Sequence, residues 1–251
     1  MKPRSPQLVK TNQAIAFALI TAAMVTSLFV IRGGAQTQGG PDQFVAALKQ
    51  NLAESQKRLR QYEWIETTSI SLKGEEKSRK QQRVYYGADG KLTKLPIGEP
   101  QPEAAQSGGR RSGRLKKKIV ENKKNEMQEY MERAANLIQM YVPPPPALIQ
   151  EAKDKGNMVL RPQPQGPMRV EFQNFVQPSD LLALDVNTNA ALLSALNVAT
   201  YLDKKEDAVT LAVQFGTLAD GTSYTAQTTL EAKAKNIRVL VQNSGHRPLA
   251  Q

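Results

Sequence analysis

The longest apolar stretch of the chain lies near its beginning, at residues 14–31. It is uncharged, follows several basic residues and precedes Gly33, Gly34 and Ala35. This three-part pattern is typical of a secretory signal over residues 1–35. The run is also close to the ~20 residues that span a bilayer. Two outcomes are therefore open: cleavage near Ala35, or retention as an inner-membrane anchor with the N-terminus inside.

Two hydrophobic periods follow one another after the signal. Apolar residues at three- to four-residue intervals over 41–62 predict an amphipathic helix, and Pro41 suits its first turn. From Trp64 the period changes to two and β-branched residues become frequent, which predicts a strand over 64–72. Short runs at 82–86 and 92–95, separated by turn residues, complete a predicted three-stranded meander.

The middle of the chain loses and then regains helical spacing. Residues 97–114 are rich in Pro, Gly, Ser and charge without periodicity, which is typical of a mobile loop. Residues 115–141 have helical spacing up to a run of four prolines, and a shorter helix is predicted over 148–155. The pattern favours one domain over 36–251, with a mobile basic insert at about 97–124.

The C-terminal part contains six short alternating or apolar segments, at 170–172, 182–186, 195–202, 209–215, 224–230 and 237–241. Turn residues join them at short spacing, which predicts an antiparallel meander that curls around its apolar face. The predicted fold class is α+β: the meander forms an open half-barrel, covered by the N-terminal amphipathic helix and the central helical insert. The residues expected on its apolar face are Val209, Leu211, Val213, Phe215, Ile237 and Val239.

Composition restricts the chemistry that this fold can carry. The chain has no cysteine and one histidine, which excludes disulfides and thiolate zinc sites and leaves no histidine-based catalytic triad or multi-histidine site. Of the formal net charge of +11, four positive charges belong to the signal, so residues 36–251 carry +7. A positive excess of this size favours anionic partners without choosing among them.

The densest local charge is a basic run near the start of the predicted helical insert. Anionic membrane headgroups suit such a run entering an amphipathic helix, and a solvated charged loop is the alternative. Nucleic acid is disfavoured because aromatic residues are not interleaved with the charges. The residues expected to contact an anionic surface are Arg110, Arg111, Arg114, Lys116, Lys117, Lys118, Lys123 and Lys124.

The sequence offers no catalytic or metal-binding constellation, so neither an enzyme nor a cofactor is expected. Residues 185–189 begin like a calcium loop, but Ala190 and Leu196 stand where glycine and glutamate are needed, so a strand turn is predicted. His246 is expected in a frayed C-terminal tail, and Glu63 and Glu66 are expected to be exposed carboxylates on a strand.

The order of these elements resembles the periplasmic lipoprotein carrier and receptor superfamily, the LolA/LolB-like proteins and the related sigma-regulator lipid sensors. The resemblance covers 41–95 and 157–246 and includes a hairpin with GADGK, the segment LLALDVNTN and the C-terminal meander. It implies an open β-barrel whose concave apolar face is covered by helices and holds acyl chains. The chain has no residue that matches a functional motif of the superfamily position by position.

Two functions are consistent with these patterns. The first is a non-enzymatic protein of the periplasm or cell envelope that binds a lipid, acyl chain or other hydrophobic ligand on the concave sheet, without a cofactor. The alternative is an envelope scaffold that docks on a partner protein or an anionic membrane through its basic insert.

Overall fold

Ten antiparallel strands form one continuous sheet in the computed structural model, which describes residues 41–98, 113–162 and 166–249. The strands are β1 Tyr62–Leu72, β2 Glu75–Tyr86, β3 Leu92–Pro96, β4 Met158–Arg161, β5 Met168–Gln173, β6 Leu181–Asn187, β7 Leu192–Tyr201, β8 Ala208–Thr217, β9 Ser223–Ala232 and β10 Ile237–Pro248. Their order in the sheet is β3-β2-β1-β10-β9-β8-β7-β6-β5-β4. Because β3 and β4 each have a single neighbour, the sheet is open, as the sequence predicted.

Three α-helices accompany the sheet: α1 Pro41–Leu59, α2 Gly113–Gln139 and α3 Pro146–Asp154. A short 3₁₀ helix, Lys233–Lys235, joins β9 to β10. The prolines at 143–146 separate α2 from α3, and Pro146 opens α3 because its missing N–H is not needed in a first turn. None of the helices in the described ranges is long and apolar enough to cross a membrane, and residues 14–31 lie outside those ranges.

The first and last strands join the two halves of the sheet. β1 pairs with β10 along almost its whole length, from Tyr62 opposite Pro248 to Leu72 opposite Ile237. The three-stranded meander predicted near the N-terminus therefore continues directly into the C-terminal meander. A bulge between Glu63 and Ile65 interrupts this pairing near one end.

Several elements differ from the sequence prediction. β2 begins at Glu75 instead of at residue 82, and its first half is exposed on both faces. β4 was not predicted, because it is four residues long and lies at a sheet edge. α2 begins at Gly113, within the predicted loop. β10 extends to Pro248, so the expectation that His246 lies in a frayed tail is wrong.

Candidate functional site

One face of β8, β9 and β10 carries three rows of apolar side chains, which we call the apolar floor. The register aligns Val209 with Ala232 and Ile237, Leu211 with Leu230 and Val239, and Val213 with Thr228 and Val241. Five of the six residues predicted for this face belong to these rows, and each of the five is at most 5% exposed. The sixth, Phe215, follows a bulge in β8 and is partly buried against the same core.

The rows of the floor continue onto β1 and β2 and become progressively exposed. Val239 aligns with Ile70 and then Ser78, and Val241 aligns with Thr68 and then Lys80. Thr68, Ile70 and Leu72 are partly buried, whereas Ser78 and Lys80 are exposed. We call these five residues the open margin. The same face is thus closed at β8 to β10 and open to solvent at β2.

Helix α1 contributes Leu48 and Leu52 to the core cluster that contains the floor. Phe44 of the same helix packs against this cluster, and further residues of α1 form hydrogen bonds to turns at the sheet rim. Asn51 Nδ2 donates to the carbonyl oxygens of Ala190 and Ala191 at 3.1 Å each. Ser55 Oγ accepts from the backbone N of Ser223 at 3.0 Å, and Arg58 Nη1 donates to the carbonyl of Asp220 at 3.1 Å. These contacts hold α1 against the sheet.

Helix α2 and the residue Tyr141 just after it join the core through five buried side chains and two tyrosine hydroxyls. Tyr130, Met131, Ala134, Ile138 and Tyr141, which follows the helix directly, belong to the core cluster. The hydroxyl of Tyr130 donates to Asp207, and that of Tyr141 donates to Asp180 and lies 2.8 Å from Thr200 Oγ1. Burial, followed by the hydrogen bond to aspartate, raises the pKa of both tyrosines above their ordinary value.

A single hydroxyl interrupts the apolar floor. Thr228 lies between Val213 and Val241 in its row and is 6% exposed. Its Oγ1 is buried and has no hydrogen-bond partner among the described residues. Leaving such a group unpaired costs about 1 to 3 kcal/mol, so the position is unusual in a floor built otherwise of valine, leucine, isoleucine and alanine. Sequence analysis missed it, although a threonine at an apolar position of an alternating strand is visible in TTLEA.

A buried ion pair lies next to the open margin. Glu66 is two residues from Thr68 on the same face of β1, and it is 5% exposed. Both of its carboxylate oxygens accept from Lys94 Nζ of β3, at 2.6 and 2.7 Å. Glu63, on the other face of β1, pairs with Arg247 and lies 3.9 Å from Arg83 Nη1. The expectation of exposed glutamates is therefore wrong, and the two carboxylates cannot act together.

An aromatic cluster lies at the end of α1, where His246 stacks on Trp64 with 5.6 Å between ring centroids. Tyr224 contacts the same imidazole at 4.1 Å, and Trp64 Nε1 donates to Asn243 Oδ1 at 3.1 Å. The cleft between these rings and Leu59 holds about 20 Å³, roughly the space of one water. Burial lowers the pKa of His246. The cluster joins β1, β9 and β10.

The predicted basic surface falls largely outside what the structure describes. Arg110 and Arg111 lie outside the described residues. Arg114, Lys116, Lys117, Lys118, Lys123 and Lys124 belong to α2, of which only the backbone is described at these positions. The proposed contact with an anionic surface therefore stays a prediction.

The segment that begins like a calcium loop is a strand and a turn. Asp185 lies in β6, where its carboxylate accepts two hydrogen bonds from Arg169 at 2.6 and 2.7 Å. Asn187 Oδ1 accepts from the backbone N of Asn189 and of Ala190, which closes the turn into β7. The predicted strand turn is confirmed.

No known family profile matches the sequence, and no curated protein matches it. The solved structures that match include the following two. A DUF1329 family protein from Desulfovibrio piger ATCC 29098 has 13% identity over 81% of this chain and 92% of its own, with a TM-score of 0.33. A LolA superfamily protein from Nitrosomonas europaea has 8% identity over 80% of this chain and 94% of its own, also with a TM-score of 0.33. The second carries the name of the grouping that the order of elements in the sequence resembles.

Proposed function

We propose that this chain is a non-enzymatic protein of the cell envelope that holds a hydrophobic ligand, such as an acyl chain, between the apolar floor and α1. One observation carries the proposal: the apolar rows continue from the buried floor to Ile70 and Leu72 in the open margin. In this proposal the ligand enters where the apolar face is open. Here the same surface is closed at one end and reaches solvent at the other.

Helix α1 is the element that would make room for the ligand. Its two buried leucines contribute about 1.5 to 3 kcal/mol each, which an acyl chain replaces at ~0.8 kcal/mol per buried methylene. A chain of a dozen carbons thus offsets the loss of both leucine contacts. Helix α2 and Tyr141 after it, which together supply five buried side chains and two buried hydroxyls, stay in place in this proposal.

The predicted signal supports the proposed location in the cell envelope. A basic start, an apolar run and small residues before Gln36 direct the chain across the inner membrane, whether or not the signal is cleaved. An exported protein meets lipid at both membranes of an envelope. The ligand is therefore available where the protein is expected to be.

A reversible disulfide bond that joins α1 to the sheet tests the proposal. The chain has no cysteine, so Ser55→Cys with Ser223→Cys introduces the only pair of thiols. Ser55 Oγ accepts from the backbone N of Ser223 at 3.0 Å, so the two residues are direct neighbours across the contact between α1 and β9. The reduced double variant is expected to take up a fluorescent fatty acid as the wild type does. Oxidation should abolish the uptake, and added reductant should restore it.

The single variants Ser55→Cys and Ser223→Cys are the matched controls, because neither can form the bridge within one chain. Native mass spectrometry of the protein purified without detergent provides a second readout, a co-purified lipid. A wild-type protein that carries no lipid and takes up no fatty acid would contradict the proposed function. Uptake that survives oxidation would show that α1 is not the moving element.

A further inference from the structure

Resting on the proposed function, we propose that the ligand is an ester-linked anionic lipid bound at two points: Thr228 Oγ1 on its ester carbonyl and Lys80 on its headgroup. The acyl chain then lies along the neighbouring rows of the apolar floor. The proposal depends on the row that crosses four strands, from Thr228 through Val241 and Thr68 to Lys80.

The hydroxyl of Thr228 supplies the first point. It is buried, faces the floor and has no partner among the described residues. A hydroxyl in an apolar surface is stable only when a partner satisfies it, and a carbonyl oxygen is a suitable acceptor for its proton. An acyl chain alone has no such group, whereas the ester that joins it to glycerol does.

Lys80 supplies the second point. It lies on the same face as Thr68 in the register, its side chain is exposed, and it forms no ion pair among the described residues. Three strand spacings of about 4.8 Å separate its backbone from that of Thr228, roughly 14 Å in all. An extended lysine side chain is about 6 Å long. If it points toward the floor, the distance left between its ammonium group and the hydroxyl of Thr228 is similar to that between a phosphate and an ester carbonyl in a glycerolipid. Glu66 and Lys94 neutralise one another beside this row, so they leave Lys80 as the cation of the open margin.

The direction of the row gives the lipid one orientation. Burial decreases from Thr228 and Val241 to Thr68 and then to Lys80. The apolar rows of Leu211 and Val209 run beside the row of Thr228, and Leu211 and Val209 themselves lie on β8, one strand farther from the margin than the hydroxyl. The headgroup therefore faces solvent at β2 and the acyl chain lies in the buried core above β8 and β9.

Three single-chain lipids of equal chain length test this proposal on the full chain: lysophosphatidylglycerol, its ether-linked analogue and lysophosphatidylcholine. We expect the wild type to prefer the ester over the ether by about fivefold, the value of one hydrogen bond. We also expect a preference for the anionic over the zwitterionic headgroup by about threefold, the value of one partly exposed ion pair. Affinities are measured by displacement of the fluorescent fatty acid.

Each variant should remove one preference and keep the other. Thr228→Val has nearly the same shape and should lose the ester preference alone. Lys80→Gln should lose the headgroup preference alone, whereas Arg79→Gln, which removes a charge from the opposite face of the same strand, should lose neither. If the wild type binds these lipids without either preference, or the variants retain both, the two-point site is wrong while lipid binding stands. If the wild type binds none of the three, the proposed function itself fails.

Discussion

At the scale of single residues, Gly216 shows how closely β8 and β9 approach one another. Gly216 is the register partner of Tyr224, and a Cβ at position 216 would lie 2.8 Å from Cζ of that ring. The ring in turn contacts His246, so it is not free to move aside. A side chain at position 216 would therefore disturb the aromatic cluster at the end of α1.

We expect Gly216→Ala to lower the free energy of unfolding by about 1 to 3 kcal/mol, the usual cost of overpacking. Urea denaturation followed by tryptophan fluorescence measures it, because Trp64 is the only tryptophan and belongs to the same cluster. In a protein that already carries Tyr224→Ala, the further change Gly216→Ala should lower the free energy of unfolding much less. An equal cost of Gly216→Ala with and without the Tyr224 ring would show that the contact is not responsible.

Residues of the floor could be predicted from the sequence, but the polar residues beside it could not. Val209, Leu211 and Val213 alternate with polar neighbours, so a period of two is enough to place them on one face. The pairing of Glu66 with Lys94 depends on the register of β1, β2 and β3, which side-chain pattern does not determine. The unpaired hydroxyl of Thr228 is a property of its neighbours in space, and therefore only the structure reveals it.

At the scale of elements, α2 is attached to the sheet through hydroxyls that must keep their protons. Burial, followed by hydrogen bonding to Asp207 or Asp180, raises the pKa of Tyr130 and Tyr141. In the unfolded chain these tyrosines lose their protons near the ordinary pKa of about 10. The folded chain then binds more protons than the unfolded chain above that pH, so its stability falls as the pH rises.

Below pH 10 we expect these two tyrosines to cause no change in the free energy of unfolding with pH. Above pH 10 we expect the free energy of unfolding to decrease. Urea denaturation at a series of alkaline pH values measures the decrease. The alkaline decrease should be smaller in the double variant Tyr130→Phe with Tyr141→Phe. At neutral pH this variant is less stable than the wild type, because each lost hydrogen bond costs about 1 to 3 kcal/mol. Tyr201→Phe, which removes an exposed hydroxyl that donates to the carbonyl of Pro178, is the control. An unchanged alkaline decrease in the double variant would show that other groups are responsible.

The elements that sequence analysis misplaced have a common physical reason. The first half of β2, from Glu75 to residue 81, is charged and polar on both faces, so hydrophobic alternation cannot indicate a strand there. Backbone pairing with β1 forms it nonetheless. The last residues of β10 are likewise polar and continue because β1 offers a partner as far as Tyr62. Strand length in this sheet is set by the neighbouring strand as much as by the side chains.

At the scale of the whole molecule, the basic run and the buried part of α2 belong to opposite ends of one helix. The basic run enters α2, whose 27 residues span about 40 Å, and the second half of this helix contributes buried side chains to the core. Asn122, Asn125 and Glu126, before the buried half, are exposed. A helix anchored at one end and charged at the other is suited to bring the apolar site close to an anionic bilayer.

If this run contacts a bilayer, each engaged lysine or arginine contributes on the order of 1 kcal/mol, and three or four suffice for detectable binding. Salt should weaken the contact, because the Debye length shortens from about 10 Å at 0.1 M to about 3 Å at 1 M. We expect sedimentation with anionic but not neutral vesicles, decreasing as salt rises, and a marked loss in a variant with Lys116, Lys117 and Lys118 changed to Gln. A control that removes the same charge from exposed lysines elsewhere, Lys204, Lys205 and Lys233, should bind as the wild type does. Equal losses in both variants would mean that net charge alone attracts the vesicles, and no sedimentation even at low salt would mean that the basic run is a solvated segment.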